Sequence, residues 1–249
     1  MKALLFAVYF NFLVCALTYS SNYTQQAPES PQVSIAEQVE NLQDNPLHRA
    51  LTAENFKTVK LLLEHGADVN AQTTGNWTAL HEAVIMGNRA IIQLLLEHGS
   101  CVNTQDNFGK TPVMYAAEKG NLAVVKLLLL AGADISIKSI LGTTVLHSAV
   151  YGGNPEVVYL LLMSGVESNA RDNDDQTPLH WAVINNYPAV VQLLLDAYVD
   201  SSVQDSFGNT PFDIAVAAHD ANFSQDTSSA IIRLLVNAGA NITSATKAK

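Results

Sequence analysis

Six segments of this chain carry one pattern at a fixed step, and that step restricts what the chain can fold into. The residue before the leucine-like position falls at Pro46, Ala79, Pro112, Val145, Pro178 and Pro211, each 33 residues after the last. The leucine triplets keep the same step: Leu61-Leu62-Leu63, Leu94-Leu95-Leu96, Leu127-Leu128-Leu129, Leu160-Leu161-Leu162 and Leu193-Leu194-Leu195. A constant period of this size marks a solenoid, in which no unit buries its apolar face alone and each does so by stacking on its neighbours.

One unit, Asp172–Leu195, gives the local physics. Asp172-Asn173-Asp174-Asp175 is a turn, and Thr177-Pro178 opens a helix. The threonine hydroxyl caps exposed amides, and proline at the first helical position gives up no needed donor. Ala182 keeps one face small, so neighbouring helices can approach closely. Asn185-Asn186 ends this helix, and Pro188 starts a second whose Val190, Val191, Leu193, Leu194 and Leu195 form its buried face. Gly66, Gly99, Gly132, Gly165 and Gly239 follow the second helices, where a left-handed residue ends a helix well. Tyr198 holds that slot in the fifth unit, which predicts a remodelled turn there.

Together the period of 33 and the T-P-L-H-like segments resemble the ankyrin family from about Asn45 to Ile242. The resemblance implies an all-α ankyrin-repeat solenoid of stacked helix-turn-helix units with short β-turn or hairpin tips. Repeats are expected at about 45–72, 73–105, 106–138, 139–171, 172–204 and 205–242, before a 243–249 tail. The first lacks a recognisable turn. In the sixth, Leu193 to Leu234 spans 41 rather than 33, so about eight residues are inserted within Ala217–Ser229, and its second helix is expected from Ser229 to Asn237. Ser34-Ile35-Ala36-Glu37 is a capping box, and Ile35, Val39 and Leu42 make a one-sided stripe. Residues 21–44 therefore read as a linker followed by a short helix that shields the open end of repeat one.

The first twenty residues differ from the rest. Lys2 precedes an almost continuous apolar run from Ala3 to Leu17, and small residues suit cleavage after Ser20 or after Ala16. About 15 apolar residues fall short of the ~20 that span a bilayer. This is the pattern of a secretory signal peptide over residues 1–20, so the chain is expected to be secreted or periplasmic, with no membrane segment after cleavage. Without that segment Cys101 is the only cysteine, so no intramolecular disulfide can form and packing alone must hold the fold. Net charge is −10 with no basic run, which disfavours nucleic acid as a partner.

Little suggests chemistry. His48, His81, His147 and His180 share the T-P-L-H slot, so they stand a repeat or more apart, too far to share a metal ion. The resemblance implies that they tie neighbouring repeats by hydrogen bonds. His65 and His98 end second helices, where a cation suits the dipole. No nucleophile elbow, phosphate loop, His-Glu-x-x-His or Cys-x-x-Cys occurs. No catalytic, cofactor or metal residue is expected, and the chain reads as a non-enzyme. N-x-S/T triplets begin at Asn22, Asn76, Asn222 and Asn241; Asn76 takes a turn slot filled by Gly109, Gly142 and Gly208 elsewhere.

Proteins of this kind bind through the concave side, formed by the tips and first helices. Mapping the repeat places Trp77, Ile85, Met86, Phe108, Lys110, Ile140, Leu141, Tyr151, Ile184 and Phe207 there. Tips are normally polar, so apolar residues at a repeated tip slot mark a partner stripe, centred on repeats two to four. The leading reading is an exported monomeric scaffold that binds another protein, a bacterial secreted or effector-like factor. The alternatives are a periplasmic accessory subunit of an enzyme and an enzyme with an unrecognised site.

Overall fold

The computed structural model describes residues 45–53, 55–220 and 225–239. The expected signal segment, the linker and capping helix of 21–44, and the 243–249 tail lie outside them.

Within them the chain is helical, with one isolated bridge between Gln72 and Thr78. The helices come in pairs: α1 Pro46–Thr52 and α2 Phe56–Glu64, α3 Ala79–Met86 and α4 Arg89–Glu97, α5 Pro112–Glu118 and α6 Leu122–Leu130. Then follow α7 Val145–Gly152 and α8 Pro155–Met163, α9 Pro178–Ile184 and α10 Pro188–Asp196, and α11 Pro211–Asp220 and α12 Gln225–Asn237. Each first helix packs on the next first helix and each second helix on the next second helix, so two parallel rows run the length of the stack. No helix among the described residues is long and apolar enough to cross a membrane.

The core repeats with the sequence. Ala83, Ala116, Ala149 and Ala182 are fully buried at one slot of the first helices, where only a methyl lets the rows close up. Leu95, Leu128, Leu161 and Leu194 are fully buried at one slot of the second helices, and Leu235 follows them in α12. Leu62, at the same slot in repeat one, is partly buried and packs against this core.

Two expectations need correction. Tyr198 does not remodel its turn. It takes φ +58 and donates its amide to Leu195, as Gly66 does to Leu63, so the turn keeps its shape at the cost of strain. The second helix of repeat six begins at Gln225, four residues before Ser229, and α11 runs on to Asp220. The insertion thus lengthens both helices, because extending a helix satisfies each added amide within the element.

Candidate partner-binding face

The tips are built on a side-chain acceptor. Asp106 Oδ1 accepts the amides of Phe108 and Lys110, Asp172 Oδ1 those of Asp174 and Gln176, and Asp205 Oδ1 those of Phe207 and Asn209. Ser139 Oγ does the same for Leu141 and Thr143. The second carboxylate oxygen reaches into the first helix: Asp106 accepts from the Tyr115 hydroxyl at 2.5 Å and Asp172 from Trp181 Nε1 at 2.9 Å. Burial pushes the Asp172 carboxyl up, and these donors oppose that shift.

Successive tips are joined backbone to backbone. Asn107 donates its amide to Gly75, Ile140 to Phe108, Asn173 to Leu141 and Ser206 to Asp174, each at 2.9 or 3.0 Å. The tips therefore form a continuous ladder rather than independent loops. At Gly109 the ladder leaves no room: φ is +69, and a Cβ there would lie 2.8 Å from the amide nitrogen of Ile140. Asn76 and Asp175 hold the same slot with φ +57, a left-handed geometry that Asn and Asp tolerate best among side-chain-bearing residues.

The histidine slot ties the first helices to these tips. His81, His147 and His180 place Nδ1 on the capping threonine of their own helix. Their Nε2 donates across the repeat boundary to the carbonyls of Lys110, Gln176 and Asn209. Burial holds all three below the ordinary histidine value, His147 down to about 4, so they are neutral at pH 7. His48 differs, because its Nδ1 lies 2.8 Å from Glu82 Oε2 and its Nε2 is buried without a partner. Asp213 replaces histidine in repeat six and still caps Thr210. Met114 replaces it in repeat three, which leaves Thr111 Oγ1 buried and unpaired. No group of three or more potential metal ligands occurs among the described residues.

The candidate residues separate into two sets. Ile140 is 61% exposed and Phe207 66%, and Leu141, Tyr151 and Ile85 are also open. Trp77, Met86, Phe108 and Ile184 are half-buried. Trp77 lies 5.2 Å from the Tyr115 ring and 5.4 Å from His81. Lys110 does not present its ammonium as the repeat pattern implied. It is buried, pairs with Glu118 at 2.8 Å and lies 5.2 Å from the Tyr115 ring centroid. Its stem has that route because Asp106 and Tyr115 bring the tip down onto α5. The open set therefore centres on repeat four and extends to the repeat-six tip.

A second apolar area was missed. Leu130 is 87% exposed, Met163 69% and Tyr198 93%, all on second helices or the turns after them, with Tyr159 half open one turn before Met163. A signal was present: the slot of Leu130 and Met163 reads Glu64, Glu97 and Asp196 in other repeats.

Models of the ankyrin-repeat family match this chain, three-copy matches covering residues 70–139, 114–205 and 146–246 and a single repeat covering 43–74. A search of curated proteins gives no match. Among solved structures, the chain is similar to the human ASB11 ankyrin repeat domain, with 30% identity over 80% of this chain and 85% of that one, at a TM-score of 0.69. Repeats of this kind form a scaffold for binding other proteins, typically without catalysis. On the period, the paired helices and these matches, the chain belongs to the ankyrin-repeat family.

Proposed function

We propose that this chain is an exported scaffold that holds another protein against its concave face, the side made by the tips and first helices. The observation that carries this reading is the tip ladder. It fixes Ile140, Leu141 and Phe207 in register on a rigid backbone and leaves them open to solvent. Rigid apolar anchors bind well because little conformational freedom is lost on contact. Export rests on the apolar run Ala3–Leu17 behind Lys2. The scaffold is proposed to act as a monomer, without cofactor or metal, in the periplasm or released from the cell. Of the other readings, an accessory subunit is favoured by the open area at Leu130, Met163 and Tyr198, since a subunit inside an assembly needs two faces.

The test places a photo-cross-linking residue at Leu141, at Phe207 or, as the control, at Gln192 on the second-helix side. One species captured in the native cell from Leu141 and Phe207, and lost with Ile140→Ser and Tyr151→Ser, is the expected result. Equal capture from Gln192 would overturn the concave assignment. Fractionating cells that express the chain with and without residues 1–20 tests export.

A further inference from the structure

Repeat two handles its carboxylate differently from repeats three and five. In those repeats the tip begins with aspartate, and an aromatic residue on the first helix donates to it, so Asp106 and Asp172 are fully engaged. In repeat two the tip begins with Thr73, and the helix slot of Tyr115 and Trp181 holds Glu82. The acid has moved from the turn to the helix, where the tip amides no longer use it. His48 of repeat one instead holds Oε2 at 2.8 Å, and the Glu82 side chain stays 18% exposed.

This carboxylate lines a cavity of about 590 Å³ beside Thr52, Thr73, Trp77, Ile85 and Met86. Among the described residues Glu82 is its one charged lining residue, and no lysine or arginine lines it. The indole of Trp77 is backed by Tyr115 at 5.2 Å and His81 at 5.4 Å, which holds its orientation. A carboxylate, an aromatic wall and an apolar side of Ile85 and Met86 together match one kind of group: a cation on an alkyl stem. Its charge meets the acid, its stem covers the apolar side, and an indole is the best ring for a cation. The chain's net charge of −10 favours the same guest.

We propose that the cavity between repeats one and two seats an arginine or lysine side chain of the bound protein. Arginine is the better fit, because its planar guanidinium both stacks on the ring and forms paired bonds to a carboxylate. The site deepens the scaffold reading and rests on it. Its own test reads only this cavity, whereas the cross-links at Leu141 and Phe207 read the stripe, so either can fail alone.

The probes are N-acetyl-arginine methylamide, its neutral norleucine counterpart and its glutamate counterpart, titrated into the 15N-labelled chain. Trp77 and Trp181 are the only two tryptophans, so two indole signals report separately on the cavity and on repeat five. The arginine probe is expected to shift the Trp77 signal saturably and leave Trp181 in place. Glu82→Gln, which keeps an acceptor for His48, should weaken that binding about five-fold or more through loss of the charge-assisted contact. Equal shifts from the norleucine probe, an unchanged affinity in Glu82→Gln, or a response at Trp181 alone would each overturn the proposal. Should that variant not fold, salt decides the matter on the unaltered chain. Binding of the arginine probe must weaken between 50 mM and 1 M salt, and a salt-independent affinity overturns it.

Discussion

Nε2 of His147 lies 3.1 Å from the backbone carbonyl oxygen of Gln176, twenty-nine residues along the chain. This bond crosses from the first helix of one repeat to the tip of the next. Its donor has to be a neutral imidazole with the proton on Nε2, because Nδ1 faces the Thr144 amide at 3.2 Å and must accept from it.

A pH dependence follows. Burial is the largest cause that lowers His147 from 6.5 to about 4, and it lowers His81 and His180 as well. As pH falls the unfolded chain takes up these protons first, so stability is full above 6.5 and is lost between about 6.5 and 4. His147 alone contributes roughly 3 kcal/mol to that loss. Asp172, raised by burial, acts in the opposite sense nearer its own range. Urea melts from pH 8 to pH 5 should show the decline, and His147→Gln should make it shallower. An equal slope in the variant would contradict the assignment.

Two threonines at one slot should answer differently to one change. Thr144 Oγ1 bonds His147 Nδ1 at 3.0 Å, whereas Thr111 Oγ1 is buried and unpaired beside Met114. Thr144→Val should cost about 1–2 kcal/mol, and Thr111→Val should be neutral or stabilising, because it removes an unmet polar group. Thermal melts at pH 8 compare them directly.

Tyr198→Gly should stabilise. The tyrosine is 93% exposed, so little packing is lost, and its φ of +58 suits glycine. A gain of about 1 kcal/mol is expected on relief of left-handed strain. A lower Tm in the variant would show that the ring makes contacts that matter.

Gly109→Ala should cost more than Gly208→Ala. Both have positive φ, but a Cβ at Gly109 meets Ile140 at 2.8 Å, while none at Gly208 meets anything within 4 Å. The difference should be about 1 kcal/mol or more, since one change adds a backbone clash to the same strain. Equal losses in chemical denaturation would mean that the tip ladder yields easily.

Cys101→Asp should also stabilise. The equivalent Asp134 and Asp200 accept the amide two residues on, at 2.8 Å from Ser136 and Ser202. Cys101 is exposed and makes no such bond, so aspartate should add about 0.5–1 kcal/mol. Its Tm against the parent chain is the measurement.

How much could be read in advance differs between the fold and the site. The six-fold step, the Thr-Pro helix starts and the buried faces such as Leu161 and Ala149 were all legible, because helix and turn chemistry are local and recur at a constant interval. The same interval located the insertion in repeat six, though not how α11 and α12 would share it. Exposure at the tips was not legible. Lys110 and Phe108 sit on turns that a sequence reads as open, yet Asp106 draws the tip onto Tyr115 and the Phe108 carbonyl accepts the Ile140 amide. The first contact folds the tip of repeat three onto its own helix, and the second joins that tip to repeat four. The sequence by itself set the period, the helices and the residues that face inward. Only the tertiary structure decided which tip side chains stay in water, that Glu82 faces a cavity, and that Tyr198 keeps a glycine's backbone. The first two depend on the distance between stacked neighbours, which a period counts but does not measure; the third rests on the turn bond from Tyr198 to Leu195, which holds the left-handed backbone against its strain.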